Sequence, residues 1–167
     1  MSGVLARFTR QLHLDRPAVR AWMLYDWANS AMYVVIVTAI FPTFFSAIAA
    51  QGLPPVEATY RFSLATTLGL TIIAVLSPIL GAIADHSAAK KRLLGAFLAF
   101  GASAVAAMFF IRHGQWEFAA LLFILANIGV NGSFVFYDSL LPHVAAPDEM
   151  DRISTAGYAL GYLGGGL

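Results

Sequence analysis

The sequence predicts an all-α membrane protein, and three observations carry that prediction. Residues 31–50, 62–84, 93–111 and 118–137 contain no charged side chain, and about 20 such residues suffice for a helix to cross the ~30 Å hydrocarbon layer. Charged residues make up 11% of the chain against 59% hydrophobic, where a soluble domain carries about 25% charged. The basic residues gather on alternate connections. Four uninterrupted apolar runs leave no polar face for water, which argues against a soluble bundle of buried helices.

The charge distribution gives an orientation. Arg7, Arg10, Arg16 and Arg20 precede the first run, Lys90, Lys91 and Arg92 follow the second, and Arg152 follows the fourth. Eight of the ten basic residues thus fall on one side, leaving Arg61 and Arg112 on the other. Basic connections stay in the cytoplasm. The N-terminus is therefore expected inside, and the 51–61 and 112–117 connections outside. A net charge of +1 gives no reason to expect a nucleic-acid partner. No cysteine is present, so no disulfide framework or thiolate metal site arises.

Residues 1–21 read as a basic cytoplasmic tail, and residues 22–167 as a partial transmembrane bundle. Asp15 can cap a helix with Pro17 in its first turn, leading into a first span over about 24–50. Ala47-Ile48-Ala49 has the small-x-small look of a signal-peptide cleavage site. The apolar core before it is too long for that, so the helix is expected to be retained. Trp22, Tyr25 and Trp27 suit the headgroup level, and Pro42 predicts a kink. The second span, about 62–84, carries another kink signal at Ser77-Pro78. A charged loop, 85–92, leads to an Ala- and Gly-rich third span over 93–111. The short 112–117 connection makes the third span and the fourth, about 117–138, antiparallel neighbours. An acidic connection then leads to a fifth helix from near Ile153. Its 15 or so residues to position 167 are short of a span, and the chain reads as the N-terminal part of something larger.

Three constellations could carry function. Asp26, Asn29 and Tyr33 share a helix face at the edge of the first span. A carboxylate, an amide and a phenol there suit a substrate or proton site facing a cavity. The competing reading is an interfacial Asp26 that orders the helix start or pairs with an arginine. Asn127 and Asn131 share a face of the fourth span, either lining a path or bonding helix to helix. The third is the run from Gly81 through Asp85 to Lys90, Lys91 and Arg92, where a small residue, an acid and a basic cluster lie between two spans. An ordinary basic cytoplasmic loop is the simpler account of it.

That last pattern resembles the signature between helices two and three of the major facilitator superfamily, G-x-L-A-D-R-x-G-R-K. Gly81, Ala84, Asp85 and Lys90 match. Ile83 replaces Leu, His86 Arg, Ala88 Gly and Ala89 Arg, while Lys91 and Arg92 carry charge just beyond. Further blocks are similar to the vacuole-effluxer, autophagy-related permease-like branch of that superfamily. They are Tyr25-Asp26-Trp27-Ala28-Asn29-Ser30 with Phe41-Pro42, Asn127-Ile128-Gly129 with Phe136-Tyr137 and Leu141-Pro142-His143, and Gly157 to Gly165. Gly157, Gly161 and Gly165 also fit the superfamily's antiporter-type glycines, although Tyr162 stands where its Pro belongs. Helix packing is the reading taken for them.

The resemblance implies the first helices of a twelve-helix bundle: four complete spans and part of a fifth, with the C-terminal half absent from this chain. It implies a secondary transporter, a permease or effluxer working by alternating access. The solute is small, amino acids being what fungal members are described as moving, and protons are a candidate coupling ion. Asp26, Asn29, Tyr33, Asn127 and Asn131 would line the path, and Gly81, Asp85, Lys90, Lys91 and Arg92 would gate it. The membrane would be the cell membrane in a bacterium or the vacuolar membrane in a fungus. No metal, cofactor or enzymatic activity is expected, since His13, His86, His113 and His143 lie outside the spans. The rival function is a non-transporting membrane protein, a receptor or assembly subunit.

Overall fold

The structure, a computed structural model, describes residues 15–166. The expected tail positions Arg7, Arg10 and His13 lie outside the described residues. The elements are α1 (Pro17–Met32), α2 (Phe41–Phe44), α3 (Pro55–His86), α4 (Lys90–Ala107), α5 (Trp116–Asp138), α6 (Leu141–Val144) and α7 (Met150–Gly166). No strand occurs among the described residues. Four helical runs among the described residues are long and apolar enough to cross a membrane: Pro17–Ala49, Pro55–His86, Lys90–Phe110 and Trp116–Asp138. These residues divide into two compact units, one from positions up to 35 and from 140 onward, the other from 36–139.

The first run starts at Pro17, whose missing N–H costs nothing at a helix start. Asp15 is not its cap. Arg16 holds that position in extended conformation and makes no side-chain capping bond. Its guanidinium turns instead to Glu149, Nη1 to Oε2 at 2.7 Å, and donates to the Val144 carbonyl. Beyond Met32 the winding widens to a π-helix over Tyr33–Ile40, tightens through α2, and widens again over Phe45–Ala49. The disruption expected at Pro42 thus takes the form of changed winding. A proline offers no N–H and its ring crowds the carbonyl four residues back. Ser46 Oγ donates to the Pro42 carbonyl at 2.9 Å, adding a side-chain bond within the same turn. The boundary between the compact units falls inside the first wide stretch.

α3 is continuous through Pro78, and Ser77 Oγ donates to the Ile73 carbonyl at 2.7 Å. Its 32 residues extend about 48 Å, well beyond the hydrocarbon layer. The charged loop expected over 85–92 shrinks to residues 87–89. Asp85 and His86 end α3, and Lys90 begins α4.

In the 36–139 unit, α4 and α5 run antiparallel. A Cβ at Gly101 would lie 3.2 Å from the Gly129 Cα, and further along the same seam Phe97 meets Phe136 at 5.6 Å between ring centroids. α3 and α5 run parallel, Phe62 against Phe123 at 5.2 Å and Gly69 against Asn127. Small residues matter here because packing, not exclusion of water, joins helices in lipid. Phe41 stacks on Phe123 at 4.6 Å within a cluster that includes Phe45, Ala49, Ala58 and Leu122. The turns after Ala49 and before Trp116 meet, with Gly114 N donating to the Ile48 carbonyl at 3.1 Å. Gly52 and Gly114 adopt φ of 94° and 78°, which glycine alone takes without strain. In the other unit α1 and α7 run parallel, burying Val19, Trp22, Met23 and Ile153.

Candidate functional site

α1 buries polar groups near the start of the first membrane-length run. Asp26 is 3% exposed and Asn29 5%. They fall on the side of α1 that also buries Val19, Trp22 and Met23, because positions 19, 22, 26 and 29 repeat at helical spacing. Asp26 makes no hydrogen bond or ion pair among the described residues. The Asn29 amide nitrogen is buried with no partner among the described residues. An unsatisfied buried donor costs about 1–3 kcal/mol, so one that persists asks for an explanation such as a ligand or a water. Tyr33 is half-buried, one turn deeper, where the π winding begins.

The opposing wall is the glycine face of α7. A Cβ at Gly161 would fall 2.5 Å from Asp26 Oδ2 and 2.9 Å from Ser30 Oγ. One at Gly157 would fall 2.5 Å from the Trp22 ring, and one at Gly165 2.7 Å from Val34. Gly164 abuts Trp27 in the same way. Only a residue without a side chain lets the α7 backbone come this near the carboxylate. The ends of the two helices are tied by Arg16 and Glu149, and Glu149 Oε2 also accepts from the Ala146 N–H at 3.1 Å.

Asn127 and Asn131 belong to the other compact unit. Their amide nitrogens donate back along α5, Asn127 to the Phe123 carbonyl at 2.9 Å and Asn131 to the Asn127 carbonyl at 2.8 Å. Neither of these bonds joins one helix to another. Asn127 is buried and Asn131 half-buried.

The basic cluster sits on the first turn of α4. Lys90 Nζ donates to the Ser139 carbonyl at 3.3 Å, placing a cation at the negative end of α5. Asp85, Lys91 and Arg92 are exposed and form no ion pair among the described residues. A Cβ at Gly81 would meet nothing within 4 Å. Sequence reading missed two features. The Arg16–Glu149 tie joins residues too far apart in the chain for any local pattern to reveal. Arg61 stacks over Trp116 at 3.7 Å to the ring centroid and bonds Glu57 at 2.6 Å, and the spacing of Glu57 and Arg61 did announce the pair.

Helices of membrane-crossing length, polar side chains buried within them and a glycine-faced helix against the first span define a polytopic α-helical membrane protein. The chain belongs to the vacuole effluxer Atg22-like family, whose profile matches residues 15–156, within the major facilitator superfamily. It is 36% identical over 162 residues to the Bacillus subtilis (strain 168) protein named Uncharacterized MFS-type transporter YxiO, covering 96% of this chain and 36% of that protein. Autophagy-related protein 22 of Neurospora crassa is 33% identical over 106 residues, 61% of this chain and 14% of its own length. That of Coccidioides immitis is 34% identical over 91 residues, 54% and 14%. The chain therefore spans just over a third of the bacterial relative and about a seventh of the fungal ones. No solved structure matches.

Proposed function

We propose that these helices form part of a secondary active transporter that moves a small solute, with amino acids the first class to test, by alternating access. The observation that carries the reading is the first helix: a buried carboxylate, Asp26, beside a buried amide donor, Asn29, that none of the described residues satisfies. Intramembrane ionisable groups are expensive and mark substrate or proton paths. Asp26 is the coupling or substrate-orienting group in this reading. Asn29 donates to the solute and Tyr33 lines the path; Asn127 and Asn131, within their own unit, keep side-chain oxygens that can line a path as well. Helices beyond those described here supply the opposing half of the site, and rocking of the halves exposes it to each side in turn. Asp85 with Lys90, Lys91 and Arg92 governs that rocking from the cytoplasmic face.

The test is flux of labelled amino acids in proteoliposomes holding the transporter with its full set of helices. Asp26→Asn fixes a neutral amide where a proton would come and go, so transport should lose its pH dependence. An unchanged pH profile removes Asp26 as the proton carrier. Flux of other small solutes but of no amino acid removes the substrate class, and no flux of any solute removes the transporter reading.

A further inference from the structure

We infer that the groove between the N-terminal turns of α3 and α5 is a binding site for a phospholipid with an ethanolamine headgroup. The groove holds about 250 Å³ and is lined at its upper end by Glu57, Arg61 and Trp116, and below by Leu64, Leu68 and Ile124. Among the described residues Arg61 spends one donor, Nε on Glu57 Oε1 at 2.6 Å, and its Cζ lies 3.7 Å from the centroid of the Trp116 ring. Held from two sides, the guanidinium keeps Nη1 and Nη2 without partners among the described residues. Two parallel N–H groups suit a phosphate oxyanion. Glu57 keeps Oε2, and its side chain is 41% exposed. The pair therefore presents an anion receptor and a cation receptor side by side, with no net charge. That matches a headgroup carrying one phosphate and one ammonium better than it matches a purely anionic one.

Depth agrees with charge. Trp116 and Tyr60 are the residue types that collect at headgroup level, and immediately below them the surface turns apolar. Leu64, Leu68 and Ile72 are exposed on α3 at helical spacing. One leaflet's ~15 Å of hydrocarbon corresponds to about 10 helical residues. An acyl chain reaching down from Arg61 would thus run past these side chains to about Ile72. The ammonium must donate hydrogen bonds to Glu57, which ethanolamine does and choline, fully methylated, does not.

The experiment is native mass spectrometry of the chain released from micelles doped equally with phosphatidylethanolamine, phosphatidylcholine and phosphatidylglycerol of identical acyl chains. The ethanolamine lipid should be retained roughly fivefold over the other two, the increment of one exposed ion pair that is also hydrogen-bonded, which neither choline nor glycerol can form. Glu57→Gln keeps an acceptor for Arg61 but drops the charge, so it should erase the preference while leaving lipid bound. Arg61→Gln should lower retention of all three. As a measurement free of these variants, phosphatidylethanolamine with dibrominated acyl chains should quench the fluorescence that Trp116→Phe removes. Equal retention of the three lipids, a preference that survives Glu57→Gln, or an unquenched Trp116 overturns the assignment.

Discussion

Asp26 and Gly161 show how much a single position can reveal before its surroundings are known. A carboxylate beside an otherwise charge-free run stands out in the sequence, because lipid tolerates few of them. Its neighbour does not stand out: the spacing of Gly157, Gly161 and Gly165 announces close packing but not which helix is approached. The Asn127 and Asn131 amides mislead more, since a polar side chain in a span looks like a bond to another helix. Here both donors turn to carbonyls of their own helix, a local option invisible to spacing. The contact at Gly161 gives a measurable consequence. Gly161→Ala places a methyl 2.5 Å from Asp26 Oδ2, so the carboxylate or the helix must shift, at about 1–3 kcal/mol for overpacking. Thermal unfolding in detergent should show that loss. It should shrink when Asp26→Ala is added, because the nearest clashing atom is then gone and Ser30 Oγ, at 2.9 Å, is left as the milder obstacle. Gly81→Ala, into open space, should be neutral or mildly stabilising. If Gly161→Ala proves as harmless as Gly81→Ala, the seam is not packed as described.

Elements were legible where apolar length decides and illegible where their ends do. Charge-free runs located all four membrane-length helices, yet the basic cluster looked like a loop because Lys and Arg favour connections on the cytoplasmic side. Three residues suffice to turn the chain, and Lys90, Lys91 and Arg92 start α4 despite the positive pole there. Pro42 was visible, but whether the helix would bend or widen depends on which carbonyls find other donors. Lys90 offsets its unfavourable place on α4 by capping α5, where its ammonium meets the Ser139 carbonyl. Lys90→Gln should therefore lower stability by about 0.3–1 kcal/mol at low salt, less at high salt. Lys91→Gln, exposed and unpaired, should not lower it at all. Equal effects of the two substitutions on the melting temperature would mean that general charge, not the α5 terminus, matters.

At the scale of the whole chain, the direction of each crossing follows from the packing within each compact unit. α1 and α7 are parallel, α3 and α5 are parallel, and α4 opposes α5. Those are the directions that odd and even crossings must take if the chain threads the bilayer at every membrane-length run. The contact of Gly114 with Ile48 puts the 51–54 and 111–115 turns at one end, the end that carries only Arg61 and Arg112. The opposite end holds the 87–89 turn with its basic neighbours. Packing thus relates the connections within the 36–139 unit, and the excess of Lys and Arg predicts which side faces the cytoplasm. Because the chain has no cysteine, single cysteines can report this without background. With a membrane-impermeant maleimide, Ala88→Cys should react only after the membrane is opened, and His113→Cys should react in intact cells. Adding Asp85→Asn should then change the reaction rate at position 88 if Asp85 holds the cytoplasmic side in one of two states. The reverse labelling pattern would invert the topology and put the Asp85 cluster on the wrong face for a cytoplasmic gate. Correct labelling with a rate at position 88 indifferent to Asp85→Asn would keep the threading and remove the gate alone.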